Sequence, residues 1–413
     1  MKFKKVLALI FILAFILRLA FAFIVPIFEK PDERQHFDYI SYVAEHKKLP
    51  IQVEGKRGEY FQPPFYHIIA SLMLSLFRIF AADIVSEVIF LRIISSIASM
   101  VTLYFVYRIS LMLFNDKKLI AGIVIFSAFL PSQININSTV TNANFGDLIS
   151  TFIIFMMAKA IGKDSSKNAV ILGIAAGIGL ITRLSTIPAI LAVPFAFSIK
   201  YYPNIRKALK PLMIIAAIAL VISFWHFARS FSLYGDFLGV NAMRMDYAAG
   251  GKPVIDALYI PRLLGWTFIT FWASYGVTNG IFIGNLNSTA GIIVFAVTYF
   301  MLAAISLLSF YGLTKFIKKY KNLLNKSQQK IFAVMLLHLF ILLLFFISFN
   351  LNEDFQPQGR LLYPAIATLS ALFVLGLYSL NNRIIKEKLP YLLFLFLAAL
   401  NIASIISILN YFT

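Results

Sequence analysis

The sequence predicts an all-α polytopic membrane protein, and three observations predict it. Of its 413 residues, 60% are hydrophobic and only 13% are charged, too little polar surface to cover a water-soluble globule of that length. Apolar stretches long enough to cross ~30 Å of hydrocarbon, roughly 20 residues each, recur from one end to the other. The connections between them alternate between basic and acidic, as membrane orientation requires.

The first stretch, MKFKKVLALIFILAFILRLAFAFIVPIF, is longer than the apolar part of a secretory signal, and no small-x-small cleavage site follows it, so it reads as a span near 5–28. Further spans are expected near 88–114, 119–138, 143–162, 168–183, 185–200, 211–229, 291–315, 331–349, 361–380 and 389–411, about 11 in all. The stretch PPFYHIIASLMLSLFRIFA (63–81) is long enough for another, but two prolines open it, and an amphipathic helix lying in the interface is the alternative. Charge decides between them. With a cytoplasmic N-terminus and 63–81 not crossing, the inner segments are 1–5, 108–118, 159–168, 200–210, 315–330 and 383–388. They hold more than half of the 37 Lys and Arg, but only Asp116, Asp164 and Glu387 of the 18 acids. A crossing at 63–81 would move Lys117, Lys118 and the 200–210 cluster outside. The expectation is therefore a multi-pass protein of the cell membrane with an extracytoplasmic C-terminus. The net charge of +19 is an orientation signal, and no nucleic acid is implied. Residues 1–413 read as a single integral membrane domain with long outer loops at about 29–87 and 230–290 and no separate soluble domain. The absence of cysteine excludes disulfides, thiolate metal sites and a cysteine nucleophile.

The first outer loop carries the most chemistry. In PDERQHFDYISYVAEHKK, Pro31 suits a helix start, and Asp32 and Glu33 fall in the first turn, where carboxylates complement the helix dipole. Phe37, Ile40, Val43 and Ala44 recur at helical spacing, which predicts an amphipathic juxtamembrane helix on the outer leaflet. Asp32 and His36 lie one turn apart and so can converge on one ligand, with Glu33 offset beside them. Simple capping of a surface helix would also explain the acids. A second polar element in the same loop, GEYFQPPFYH, sets Glu59 and Gln62 before a rigid Pro-Pro, and two such elements on one face favour a site.

These residues resemble a known superfamily. PDExxH after the first span, followed by QPPxYxxxA, is similar to the membrane glycosyltransferases of the GT-C fold, which include protein O-mannosyltransferases, aminoarabinose transferases acting on lipid A, and oligosaccharyltransferases. The nearest pattern is that of a large prokaryotic branch with E-x-H-Q-P-P-L-Y-Y, in which Phe61 stands for the His and His67 for the second Tyr. Four further fragments fall in order along the chain. NSTVTNANFGDL resembles an outer span end where relatives show N-N-D, with Asn144 near the place of the Asp and Asp147 one turn later. GLITRLSTIPAILAVP resembles a small-residue hairpin in which Arg183 stands for a Lys, and FARSFSLYGDFLG resembles R-N-x-x-x-Y-G-D-P-L-G. QPQGRLLYPAIATLSALFVLG resembles Q-G-R-Y-L-x-P-A-L-P.

The resemblance implies transfer of a sugar from a polyprenyl-phosphate-linked donor, on the extracytoplasmic face, to a lipid, glycan or protein acceptor. It also implies that a first-loop acid activates the acceptor or holds a divalent metal ion. Asp32 and Glu33 are then the candidate catalytic acids, Asp32 and His36 the candidate metal ligands, and Glu59 and Gln62 candidate substrate contacts. A departing phosphate needs positive charge, for which Arg92, Arg183, Arg229 and Arg360 at outer span ends are the candidates. Arg92 sits a turn inside a span, where an unpaired charge is costly. Arg360 follows Gly359 at the membrane entrance, and its planar fork suits phosphate oxygens. Local pairing, Arg92 with Glu87 or Arg360 with Asp354, is the competing explanation. A transporter or flippase of lipid-linked sugars is the alternative function. It would need polar residues along a mid-membrane path, whereas the spans read as apolar at their centres.

Overall fold

The computed structural model describes residues 3–56, 58–80, 83–162, 166–246, 255–276, 280–284, 286, 288–380 and 382–412. Parts of the long loops at about 29–87 and 230–290, and Asp164, lie outside the described residues. Helices α1 (Phe3–Ile24), α2 (Glu33–His46), α3 (Phe65–Phe77), α4 (Ile84–Leu113), α5 (Lys117–Phe129), α6 (Pro131–Asn137), α7 (Ala143–Gly162) and α8 (Ser166–Leu180) form the first half. The second half comprises α9 (Ile187–Tyr201), α10 (Leu209–Tyr234), α11 (Val240–Arg244), α12 (Tyr259–Trp272), α13 (Thr289–Leu323), α14 (Lys326–Asn352), α15 (Ile366–Tyr378) and α16 (Arg383–Phe412). Extended pairing among the described residues amounts to one isolated antiparallel bridge, Tyr275 with Ile281.

Among the described residues 9 helices are long and apolar enough to cross a membrane, or up to 10 if the bent pair α5–α6 is one span. The count of about 11 is not confirmed, because the stretch expected at 168–183 is described as a helix of 15 residues. At 1.5 Å per residue α8 is roughly 22 Å long, short of the ~30 Å core, and it stops before Thr182-Arg183, where the chain turns into the 3-10 segment Leu184–Thr186. The ambiguous stretch 63–81 contains α3, a helix of 13 residues and thus roughly 20 Å. It packs with α2 on α4, where Phe37, Ile40, Tyr66, Leu74, Val88 and Leu91 form a separate apolar cluster.

The span expected at 119–138 is broken. Leu130 is extended and Pro131 has no N–H, so α5 and α6 meet at 59°. Carbonyls freed by such a break inside a membrane must find other donors. Ala128 O accepts from Arg18 Nη1 at 2.9 Å, and Phe129 O accepts from Asn401 Nδ2 at 2.8 Å. Arg18 also donates to Ala14 O and Ser99 Oγ and is 1% exposed. The spans are therefore not uniformly apolar at their centres, and the buried charge of α1 is committed to closing the break. Elsewhere the bundle is held by close backbone approach. A Cβ on Gly312 of α13 would lie 1.8 Å from Gly376 O of α15, so only glycine permits that crossing.

Candidate active site

The site is built where the loop after α1 meets α4, the α6–α7 connection and the segment before α15. Two adjacent acids there have different fates. Glu33, in the first turn of α2, is fully buried against Arg92, also fully buried, with Nη2–Oε2 at 2.6 Å and Nε–Oε1 at 2.8 Å. Glu33 also accepts from the backbone N–H groups of Phe28 and Val140. Arg92 donates its remaining N–H groups to the carbonyls of Ala22, Val25 and Pro26 at the end of α1. All the donors of a guanidinium are thus used, and Arg92 has none left for a ligand. The sequence reading offered Glu33 as a catalytic acid and Arg92 as a substrate contact. In the structure the two hold α1, α2, α4 and the α6–α7 connection together, and Glu87 pairs instead with Arg78.

Asp32 precedes α2 with φ 58, in the left-handed region that Asp tolerates better than most residues. Its side chain is 36% exposed, and its Oδ2 accepts from Arg360 Nη2 at 2.7 Å, across 328 residues of sequence. Arg360 is positioned by its predecessor. Gly359 lies so close to α12 that a Cβ there would meet the Phe271 backbone at 2.4 Å, and its N–H donates to Thr270 Oγ1 at 2.7 Å. Tyr363 Oη donates to Phe271 O one turn on. The Gly of the QGR pattern is thus explained by contact with a helix inside the second outer loop, and periodicity had not exposed that helix. Arg360 pairs with Asp32 rather than with Asp354.

Beside this pair a small cleft is lined by Asp147, Arg183, Ser185, Arg360, Leu361 and Pro364. Two guanidiniums and a buried carboxyl therefore share one wall. Arg183 Nη1 donates to Asn142 Oδ1 at 3.1 Å, and Asn142 Nδ2 donates to Gln62 Oε1 at 3.1 Å. Gln62 Nε2 in turn donates to Glu59 Oε2 at 2.8 Å. This chain joins the QPP element to the cleft. Burial, reinforced by the negative charge of Asp32, pushes the Glu59 carboxyl up to about 7. Asp32, Glu59, Gln62, Arg183 and Arg360 are therefore brought together.

The other candidates are hydrogen-bonded to partners outside that cluster. Arg229 donates to Pro50 O at 2.8 Å and ties the first loop to α10. His36 is buried, with Nδ1 3.0 Å from Nε2 of His67, whose ring stacks on Tyr39. Burial lowers the His36 pKa to about 3, so it stays neutral. Among the described residues no group of three or more His, Asp or Glu is arranged to hold a metal ion. With Asp32 engaged by Arg360 and His36 by His67, the Asp32–His36 ligand pair is not assembled in this arrangement. Lys30 was missed by sequence reasoning. It is 1% exposed and donates from Nζ to Ser138 O at 2.5 Å and to Ser138 Oγ at 2.8 Å. Burial beside Arg92 lowers its pKa well below the ordinary lysine value. Its place between an acid and Pro-Asp-Glu looked like solvent-facing loop.

Comparisons with known proteins agree with this architecture. Residues 62–227 match the family described as dolichyl-phosphate-mannose-protein mannosyltransferase. No curated protein matches the chain by sequence. Among solved structures, ArnT from Cupriavidus metallidurans bound to undecaprenyl phosphate superposes with a TM-score of 0.60 at 12% identity, covering 94% of this chain and 62% of that one. The Archaeoglobus fulgidus oligosaccharyltransferase complex with Zn and sulfate gives 0.55 at 13% identity, covering 97% and 52%. The same archaeal enzyme tethered with an acceptor peptide containing the NVT sequon gives 0.51 at 12%, covering 99% and 55%. The chain thus spans little more than half the length of these proteins, and at such identity the likeness is one of fold. The chain has the GT-C fold of membrane glycosyltransferases, and its residues 62–227 carry the mannosyltransferase family match.

Proposed function

We propose that the chain is a glycosyltransferase that moves a sugar from a polyprenyl-phosphate-linked donor to a hydroxyl or amide acceptor on the extracytoplasmic face. The observation that carries the reading is the Asp32–Arg360 pair, whose carboxylate is partly open to solvent, beside a cleft with a second guanidinium, Arg183. Attack of an acceptor hydroxyl on the anomeric carbon breaks the bond to the phosphate oxygen. The acceptor proton must go to a base, and the phosphate leaves with added charge. Arg360 and Arg183 supply the phosphate contacts, and Asp32 takes the proton. A donor phosphate at Arg360 competes with Asp32 for the guanidinium, so donor binding releases the carboxylate from its partner when an acceptor can use it. Glu59 and Gln62, linked to Arg183 through Asn142, line the acceptor side. Glu33 and Arg92 hold the scaffold. The family match and the lipid-phosphate complex of ArnT support the donor class, and the basic bias of the opposite connections supports the face.

The test is transfer from a panel of short-chain prenyl-phosphate sugars by the purified protein in nanodiscs. Asp32→Asn should lower the rate by at least ~10²-fold while costing no more than about 1 kcal/mol of stability, the worth of a partly exposed ion pair. Full activity in the folded variant would overturn the assignment of Asp32.

A further inference from the structure

The opposite end of the bundle carries a second feature that the transfer chemistry does not use. Helix α9 begins beside Arg183, and its 15 residues carry the chain roughly 22 Å away from the site. Helix α14 ends near Glu353, which pairs with Arg244 of the second outer loop, and begins at the far end with Lys326. Between these two far ends lies a cleft of about 300 Å³ lined by Ser198, Ile199, Tyr202, Ile205 and Lys330. Its walls are almost entirely apolar, and Tyr202 and Ile205 on its rim are 74% and 50% exposed.

The charge around this cleft has one sign. Lys200, Arg206, Lys207 and Lys210 lie on the α9–α10 side, and Lys326 and Lys330 on the α14 side, with no Asp or Glu anywhere in 200–210 or 315–330. Lys326 and Lys330 occupy the opening turns of a 27-residue helix whose first turn holds no acid. Cations at that end oppose the helix dipole, whose positive pole favours an anion. An apolar slot lined by Lys330, with further basic residues in the adjoining sequence and a helix N-terminus beside it, is complementary to a molecule with a hydrocarbon tail and an anionic head.

We propose that this cleft binds one anionic phospholipid, with an acyl chain along Ile199, Tyr202 and Ile205 and the headgroup phosphate facing Lys330 and Arg206. The site is separate from the transfer site, and its existence does not depend on the function assigned there. It makes the α9–α14 end of the bundle selective for the charged lipids of the leaflet it contacts.

The experiment uses the full chain, delipidated in neutral detergent, with phosphatidylglycerol or phosphatidylcholine of identical acyl chains added in mixed micelles. Native mass spectrometry reads retained lipid, and thermal unfolding reads stabilisation. Wild type should retain phosphatidylglycerol over phosphatidylcholine by roughly 30-fold, as a pair of interfacial cations at about 1 kcal/mol each provides. Lys330→Gln combined with Arg206→Gln should abolish the preference, and Lys330→Arg should keep it. Ile199→Trp, which fills the slot, should reduce retention of phosphatidylglycerol. Equal retention of the two lipids by wild type, an undiminished preference in the double variant, or full retention by Ile199→Trp would each overturn the proposal.

Discussion

Asp32 and Glu33 are neighbours in sequence, each bound to an arginine, yet they belong to different parts of the molecule. Glu33 and Arg92 are both 0% exposed, and every donor of the arginine is satisfied by protein. Asp32 and Arg360 are 36% and 11% exposed, and the arginine borders a cleft. The first pair cannot open without stranding two charges and several carbonyls in a low-dielectric interior. The second can exchange one anion for another at little cost. The difference follows from backbone direction. The left-handed turn at Asp32 sends its side chain outward, while the next residue enters the helix facing α4.

The largest effect should come from the sealed pair. Glu33→Gln leaves Arg92 buried without a counter-charge, which in comparable sites costs about 3–5 kcal/mol. Thermal unfolding in detergent should therefore show a much lower midpoint, and loss of folded protein rather than a selective loss of turnover. A smaller, pH-dependent effect should come from Glu59. Its carboxyl is raised from 4.5 to about 7 in the folded protein, so between those values the native state binds more protons than the unfolded state. Its contribution to stability is then fully present below 4.5, declines as pH rises towards about 7, and levels off above that. The difference in unfolding midpoint between wild type and Glu59→Gln should follow that curve when measured across the window. The smallest effect belongs to an exposed pair on α2 itself. Arg34 and Asp38 are 3.0 Å apart and 54% and 41% exposed. Asp38→Asn should change stability by no more than about 0.5 kcal/mol in chemical denaturation, which would confirm that burial, rather than pairing, separates the three cases.

Much of the fold was legible because the bilayer imposes a length and a polarity that single-sequence periodicity records directly. Helices α2 and α3 and most of the long spans fall where the sequence puts them. The break itself was hidden, since its repair depends on Arg18 and Asn401 from other helices. The acids of the candidate site were visible as a cluster, and Arg360 stood out beside Gly359. Their partners were not visible. Local spacing favoured Glu87 for Arg92 and Asp354 for Arg360, whereas the structure joins Glu33 to Arg92 and Asp32 to Arg360 across 59 and 328 residues. Tertiary pairing of that kind leaves no periodic trace. Lys30 was passed over for the same reason, its partner Ser138 being 108 residues away. Helix α12 lies in the long loop at about 230–290, for which no helix was expected.

The central claim is that lipid phosphate and Asp32 compete for Arg360. It is tested most directly by equilibrium binding of a sugar-free short-chain prenyl phosphate to purified wild type, Asp32→Asn and Arg360→Ala. Removing the competing carboxylate should tighten binding by roughly 2–5-fold, the worth of a partly exposed ion pair. Removing the guanidinium should weaken it by at least about tenfold, the loss of a charge-assisted hydrogen bond. Unchanged or weaker binding in folded Asp32→Asn protein would contradict the competition, and unchanged binding in Arg360→Ala would remove the phosphate from this site altogether.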